Sequence, residues 1–245
     1  MATENSESSL VVASWTTLQV PKSSTFDTRN TEDGRTWLSI IRPMTRSKQP
    51  GFLHGIFGRV VESMQTVWLV TAWESSEALE KFEASSTWST QRELMASMSM
   101  TFPKTVHCDF SGFWWDRLTP HTGVTDLSFP SSIAEDVCMK ILGVKGLEYF
   151  FRPGASEPKA FNGSGVRGWI RGTSRVDDVE VITLRVFDHW MSDELETEFK
   201  TKASTLEGEE GILVYDRFVR DFKELGMVNM KERHCRFTHI PTTFY

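Results

Sequence analysis

Apolar residues first concentrate in the segment Ser9–Val20, SLVVASWTTLQV, whose β-branched side chains predict a strand. Apolar residues between Trp37 and Met44 then recur at the spacing of one helix face, so a helix is expected there. Two further segments, Gly51–Glu62 and Thr66–Glu74, are separated only by the link "SMQ" and predict a hairpin.

A helix is expected to begin near Ser75 and to turn Leu79 and Phe82 inward. A strand that contains His107 and Cys108 closes this half of the chain. The predicted order is therefore β-α-β-β-α-β, which is that of a ferredoxin-like unit.

The second half of the chain repeats this order. Segment Gly165–Phe199 matches Pro50–Phe82, and His-Cys-x-Phe occurs at His107 and again at His234, 127 positions later. Earlier matching pairs are 114 positions apart, so the second copy contains about 13 additional residues. The match is weak at single positions but collinear, as expected for an internal duplication. The 114-residue pairs are Gly58 with Gly172, Val67 with Val181, Trp73 with Phe187 and Glu74 with Asp188, and the additional residues are expected near His189–Met191 and around Leu206–Gly211.

The second copy begins with a predicted helix, because Ser132 and Glu135 have the spacing of a capping box and Gly143 ends the pattern. Its other predicted elements are a hairpin of Val166–Val176 and Glu180–Asp188 joined by "DDV", a helix near Ser192 with Leu195 and Phe199 inward, and a helix carrying Phe218, Phe222 and Leu225.

Pro120 and Gly123 interrupt the chain between the copies, which places a boundary near Leu118–Gly123. We therefore predict an N-terminal unit over residues 1–118 and a C-terminal unit over residues 119–245. Helices cover one face of a four-stranded sheet, and the other apolar face needs a partner. A second copy of the same unit can supply that partner.

The composition and charge of the chain argue against several classes of protein. The 245 residues carry a net charge of −6 without a basic run, which argues against nucleic-acid binding. Apolar runs are too short for a membrane helix, and the polar N-terminal residues do not resemble a secretory signal. The three cysteines are odd in number and scattered, which favours a reducing, cytoplasmic setting.

A family resemblance is carried by Pro50–Ser86, which contains Trp73-Glu74-Ser75, then Ala78 and "EASS". This stretch resembles the dimeric α+β barrel superfamily, in its antibiotic-biosynthesis-monooxygenase-like branch. The resemblance implies an α+β fold in which two tandem ferredoxin-like units pack sheet to sheet as an intrachain barrel, like a fused dimer. The tandem arrangement looks most like fungal proteins of secondary metabolism.

The adjacent His and Cys of each copy do not predict a metal site. Side chains of consecutive strand residues point to opposite faces, so His107 and Cys108 cannot easily hold one ion. Neither the C-x-x-C nor the H-x₃-H spacing of zinc sites occurs in the sequence. Cys108, Phe110, Cys235 and Phe237 are interpreted as core residues.

The resemblance also implies a ligand cavity between the helices and the sheet of a unit, with Trp73 on its wall. In the family's cofactor-free oxygenases, Asn and Tyr stand at the places held here by Leu69 and Leu79, which argues against oxygenase activity. Trp73 is interpreted equally well as a core residue. The substrate-binding candidates are Trp37, Leu69, Trp73, Trp169, Arg171, Phe187 and Trp190.

Five polar residues are the candidates for catalysis. A histidine such as His54 suits proton transfer near neutral pH, and Arg185 suits a carboxylate or enolate oxygen. Arg171 and Arg185 could instead face solvent or pair with Asp177, Asp178 or Glu180. The catalytic candidates are His54, His107, Asp109, Arg185 and His189, with His189 placed at the turn from strand to helix.

These features favour a cofactor-independent enzyme of secondary metabolism. Its expected reaction is the cyclisation, rearrangement or isomerisation of an apolar polycyclic, polyketide-type or alkaloid-type intermediate in an aromatic-lined cavity. The alternatives are a cofactor-free monooxygenase of a phenol or enol and a non-catalytic binding or stress protein. No phosphate-binding loop or metal motif occurs, so no cofactor is expected. The expected partners are a hydrophobic small molecule and, as an open alternative, a second copy of the fused barrel.

Overall fold

The structure is a computed structural model that describes residues 10–45, 48–111, 115, 118–119, 121–147, 160–162, 165–203 and 211–241. The chain divides into two compact units. Unit 1 comprises residues 1–115 together with 238–245, and unit 2 comprises residues 116–237. The division lies just before the expected boundary, and the C-terminal tail returns to unit 1.

Unit 1 contains an antiparallel sheet with the strand order β4-β1-β3-β2 in its described part. Strand β1 is central and pairs with both β3 and β4, as in a ferredoxin-like unit. The predicted order is confirmed, and the second helical segment consists of two helices. The elements are β1 (Leu10–Gln19), α1 (Glu32–Ile41), β2 (Phe52–Val60), β3 (Ser63–Trp73), α2 (Ser76–Glu83), α3 (Ser86–Met98) and β4 (Lys104–Ser111).

Unit 2 has the same arrangement, with the strand order β6-β7-β5-β8 among its described residues. Its helical segment after the hairpin is again double. Two tandem ferredoxin-like units are therefore confirmed. The elements are β5 (His121–Pro130), α4 (Glu135–Gly143), β6 (Val166–Val176), β7 (Val179–Trp190), α5 (Asp193–Lys200), α6 (Val214–Glu224) and β8 (Asn229–His239).

Each unit buries the apolar stripes of its helices against one face of its sheet. In unit 1, Trp37 and Ile40 of α1 and Phe82 of α2 pack in one cluster with Trp73 of β3. In unit 2, Phe199 of α5 packs with strand residues in the corresponding cluster. Burying an aromatic or aliphatic side chain of this kind contributes roughly 1.5–3 kcal/mol. Cys108, Phe110 and Cys235 are also fully buried, as predicted.

Two local predictions are wrong. The turn of the first hairpin lies at Val61–Glu62, because the predicted link "SMQ" already belongs to β3. The predicted capping box at Ser132 does not form, since α4 begins at Glu135 after the N-cap Ala134, which makes no side-chain cap. The second hairpin turn does fall at Asp177–Asp178, where both residues have positive φ, 45° and 65°.

The few additional residues that were expected near His189–Met191 lie in the hairpin rather than at the turn into α5. The register between β5 and β7 is continuous from His121 opposite Trp190 to Pro130 opposite Val181. The register between β6 and β7 shifts between Ile170 and Ser174, where the chain contains a bulge. Trp190 thus stands two residues before the N-cap Ser192, as Trp73 stands before Ser75, so Trp190 rather than Phe187 is the counterpart of Trp73. The rest of the predicted insertion, at 206–210, lies outside the described residues.

Candidate functional site

A cavity of about 210 Å³ lies in unit 1, between helix α1, strand β2 and the C-terminal tail. Helix α1 contributes one face because its apolar positions recur at i, i+1 and i+4, while β2 contributes an aromatic ring from a half-buried position. The wall is mainly apolar, with Phe26, Trp37, Leu38, Ile41 and Phe57, and its polar part includes Arg29 and His239.

A pair of histidines stands at this cavity. Nε2 of His54, on β2, lies 2.6 Å from Nδ1 of His239, which lines the cavity. At this distance one ring nitrogen donates and the other accepts. The ring of His54 is stacked on Trp115, with centroids 5.5 Å apart and planes inclined by 12°. The stacking and the hydrogen bond together hold His54 in one orientation.

One residue of the aromatic wall, Trp37, carries a buried indole N–H. Trp37 is 2% exposed, and its indole Nε1 has no hydrogen-bond partner among the described residues. Its ring packs edge to face with Phe26 and Phe57, at centroid distances of 5.0 and 5.2 Å. The Arg59 guanidinium lies 4.7 Å from the centre of the Phe26 ring and donates to the Ser24 carbonyl, which holds this wall in place.

The C-terminal tail is fixed to β2 beside the histidine pair. The backbone N–H of Ile240 donates to the Gly55 carbonyl at 2.8 Å. A Cβ on Gly55 would lie only 2.6 Å from Cδ1 of Ile240, so glycine allows the tail to approach this closely. The position of His239 therefore depends on a contact between residues far apart in sequence.

Two other catalytic candidates of unit 1, His107 and Asp109, lie away from this cavity. His107 Nε2 lies 2.8 Å from the Glu83 carboxylate, so this histidine connects β4 to the end of α2. Asp109 lies on the same strand, opposite Val12 of β1. Neither residue lines the described cavity.

Trp73 and Leu69, expected on a cavity wall, lie in the core of unit 1. The Trp73 ring stacks on Phe82, with centroids 4.7 Å apart, and its indole N–H donates to Thr71 Oγ1 at 2.9 Å. Leu69 is buried in the same cluster. These residues connect the end of β3 to α2.

Arg185 is held in an ion pair. Its Nε and one terminal nitrogen donate to the two Asp126 oxygens at 2.7 and 2.8 Å. The two residues are directly opposite each other on β7 and β5. Asp126 therefore takes the role that the sequence had offered to Asp177, Asp178 or Glu180.

The remaining candidates of unit 2 lie in its strands, and most of them pack in its core. His189 and Trp190 belong to β7 rather than to a turn, because the pairing with β5 extends to the last residue of the strand. Trp190 packs on Phe161 and Phe199, at centroid distances of 4.1 and 5.4 Å. In addition, Phe187 is fully buried, Trp169 packs on Phe129 at 6.0 Å, and Arg171 is exposed.

Unit 2 also contains a cluster of titratable side chains that the sequence did not reveal. Two oxygens of Glu196, on α5, lie 2.5 Å from Nε2 of His121 and 2.9 Å from Nε2 of His234. The two imidazole rings are parallel, with centroids 4.7 Å apart and planes inclined by 4°. The only sequence signal was His234 itself, since helical glutamates are normally solvated.

A lysine and a second carboxylate complete this cluster. Lys200 Nζ lies 2.6 Å from Glu196 and 2.7 Å from Glu232, and the Tyr215 hydroxyl donates to Glu232 at 3.0 Å. Burial works against ionisation of Glu196, but hydrogen bonds from His234 and Lys200 lower its pKa to about 2. Burial raises the pKa of Tyr215, and the Glu232 carboxylate raises it further. The Glu196 carboxylate is therefore ionised in the folded protein near neutral pH.

Three solved structures share the fold along nearly the whole chain. A candidate monooxygenase from Lactobacillus acidophilus is 10% identical, with 95% of this chain and 97% of that chain covered and a TM-score of 0.55. An anthrone oxidase-like protein is 11% identical, with coverage of 97% and 96% and a TM-score of 0.55. A candidate monooxygenase from Fusobacterium nucleatum is 10% identical, with coverage of 95% and 94% and a TM-score of 0.57. The fold predicted from the sequence, with two tandem ferredoxin-like α+β units, is thus confirmed.

No protein-family model and no curated protein matches the chain. Among the described helices, none is both long enough and apolar enough to cross a membrane.

Proposed function

From the dimeric α+β barrel fold that the chain shares with these proteins, we propose a cofactor-independent enzyme that isomerises or cyclises an apolar ring compound in the cavity of unit 1. The observation that carries this proposal is the contact of His54 with His239, which lines the cavity together with aromatic residues. Aromatic walls with a few convergent polar groups are typical of small-molecule sites.

The volume of the cavity limits the substrate. A cavity of about 150 Å³ suffices for benzene in a protein core, and drug-sized ligands generally need about 300–1,000 Å³. The observed 210 Å³ therefore favours a substrate whose enclosed part has one or two rings. A larger polycyclic substrate would leave some of its rings outside the cavity.

The histidine pair suits a proton transfer. One imidazole accepts a proton from a carbon next to a carbonyl group, and the second imidazole stabilises the positive charge through their hydrogen bond. The buried Trp37 N–H donates to the oxygen of the resulting enolate. Return of the same proton to another carbon gives a product of unchanged mass.

The probe for this activity is 2-tetralone, a two-ring ketone with exchangeable protons, followed by proton NMR in deuterated water. The protein should accelerate the exchange, and His239→Ala should reduce the acceleration by about 100-fold, a typical contribution of general acid–base catalysis. Trp37→Phe should reduce it less, because the ring remains and only the N–H is lost. Glu83→Gln, which disturbs the other histidine contact of unit 1, is the matched control. Equal exchange with the wild-type protein and the His54→Ala/His239→Ala variant would rule out the proposal.

Oxygenation is the second candidate, because similar structures carry descriptions as monooxygenases or as anthrone oxidase-like. Removal of a proton from a phenol or enol would precede attack by O₂, so the same histidine pair would serve both reactions. An oxygen electrode separates them. Uptake of one O₂ per product favours oxygenation, and a product of unchanged mass without uptake favours isomerisation.

A further inference from the structure

Glu196 occupies a position in unit 2 where unit 1 has an apolar residue. Counted from the serine N-caps of α2 and α5, the counterpart of Glu196 is Leu79, which is 2% exposed. Glu196 is itself only 5% exposed. A buried carboxylate is costly unless a cation or hydrogen-bond donors compensate its charge. Glu196 therefore stands where unit 1 has a core leucine, and its buried charge requires a cation or hydrogen-bond donors beside it.

Three elements bring ligand atoms to this carboxylate. His121 begins β5, Glu196 lies on α5 and His234 lies on β8, and their ligand atoms are all within 4.8 Å of one another. The side chains are 13%, 7% and 17% exposed, so most of the solvent is excluded. Two imidazoles with one carboxylate form a common ligand set for divalent transition metals.

We propose that His121, Glu196 and His234 form a binding site in unit 2 for one divalent transition-metal ion, such as Zn²⁺ or Co²⁺. Binding replaces the protons between the imidazoles and the carboxylate with the ion. Because the two rings are now parallel, both tilt until each Nε2 points to the ion. This site is separate from the cavity of unit 1 and does not depend on the function proposed there.

Lys200 acts as the internal cation of the site. Its ammonium group bridges Glu196 and Glu232, at 2.6 and 2.7 Å, where it neutralises part of their charge. An ion at Glu196 takes over this neutralisation, and Lys200 keeps its contact with Glu232. The Glu232 carboxylate, which accepts a hydrogen bond from Tyr215, lies 4.0 Å from Nε2 of His234 and adds negative charge beside the site.

Substitution of Lys200 distinguishes a metal site from a network of side chains that only stabilises the fold. If the cluster only tied α5 to the strands, Lys200→Gln would lower stability and leave the protein without metal affinity. If the cluster is a metal site, the same substitution removes a competing charge. Metal affinity should then rise by about 10-fold, and Zn²⁺ should raise the Tm of Lys200→Gln more than that of the wild-type protein.

The test uses the full chain without a histidine tag, freed of metal by a chelator. Titration with Co²⁺ by visible absorption and with Zn²⁺ by calorimetry should show one ion per chain. Glu196→Gln and His234→Gln should each weaken binding by about 100-fold, at or beyond the losses seen for outer-shell residues. Glu83→Gln in unit 1, which removes the carboxylate beside the corresponding His107, should leave the affinity unchanged.

Three results would overturn the metal site. They are a stoichiometry of zero, equal affinities of the wild-type protein and Glu196→Gln, and an affinity of folded Lys200→Gln no greater than that of the wild-type protein. Should Lys200→Gln not fold, the comparison of Glu196→Gln with Glu83→Gln decides alone.

Discussion

At the scale of single residues, Arg185 shows how a buried charge obtains a structural partner. Its side chain is 9% exposed, and the Asp126 side chain opposite is 27% exposed. The bidentate geometry satisfies both carboxylate oxygens of Asp126 with two guanidinium donors. A role in joining β5 to β7 therefore accounts for an arginine that the sequence places in the middle of an apolar strand.

This role predicts unequal effects of removing the two partners. Asp126→Asn leaves the more buried charge uncompensated, so it should lower the free energy of unfolding by about 2–3 kcal/mol, below the 3–5 kcal/mol range for fully buried pairs. Arg185→Leu leaves Asp126, which can regain water, and should cost less. Urea unfolding of both variants and of the double variant gives the coupling energy. Losses under about 0.5 kcal/mol in both single variants would contradict a structural role for the pair.

Residue type alone also misled the choice of site residues. Trp37 and His54 were expected from the sequence, and both reach the cavity or its histidine pair. His239 was not, because a histidine at the end of a strand has no local signal that relates it to β2. Glu196 was not among the candidates either, and the orientation of α5 buries it beside two histidines.

At the scale of elements, the helices that follow the hairpins begin in the same way. Ser75 caps α2 by accepting from the Ala78 N–H, and Ser192 caps α5 by accepting from the Leu195 N–H. Both helices were predicted at these serines. Helix α4 differs, because its N-cap Ala134 has no side-chain acceptor and Ser132 precedes it by two residues.

A pair of serine substitutions tests this difference. Ser75→Ala should lower the free energy of unfolding by about 1 kcal/mol, because an N–H at the start of α2 loses its acceptor. Ser132→Ala should change it by less than about 0.5 kcal/mol, as expected for an exposed residue outside a cap. Thermal and urea unfolding measure both. Equal losses would mean that the capping box at Ser132 forms after all.

The hairpin turns show why element boundaries are harder to predict than elements. Val61 and Glu62 have no preference for turns, so the start of the first turn was placed two residues too late. The second turn contains Asp177 and Asp178, which tolerate positive φ, and was placed correctly. The bulge after Ile170 contains Gly172, whose φ is 82°, and the sequence comparison paired this glycine with Gly58 without allowing for a bulge. Trp73 was therefore aligned with Phe187 and not with Trp190.

At the scale of the whole molecule, the duplication has produced two units with different polar sites. Unit 1 holds the cavity with its histidine pair, and unit 2 holds the cluster around Glu196. The tail from Thr238 onward belongs to unit 1, although the strand that leads to it belongs mainly to unit 2. The C-terminal tail therefore supplies His239 to the cavity of unit 1, which is otherwise formed by the first half of the chain.

This arrangement predicts that the tail can be disturbed selectively. Gly55→Val should push the Ile240 side chain aside and shift the tail that carries His239, because a Cβ at Gly55 would lie 2.6 Å from Cδ1 of Ile240 and valine adds two methyl groups to that Cβ. Exchange of 2-tetralone protons should fall by about 10-fold or more, as for loss of an acid–base group. Co²⁺ binding in unit 2 should remain unchanged. Gly143→Val, at a position with no atom within 4 Å of a Cβ, is the control, and an equal loss of exchange there would contradict the role of the tail.

The sequence by itself determined the repeated order of strands and helices, the duplication and most of the core, because hydrophobic periodicity and helix caps are local properties. Tertiary structure alone decided that His239 meets His54, that Asp126 pairs with Arg185 and that His121, Glu196 and His234 converge. These contacts join residues 59 to 185 positions apart or lie on three different elements. Strand pairing and helix orientation bring such residues together, and no local pattern in the sequence encodes that proximity.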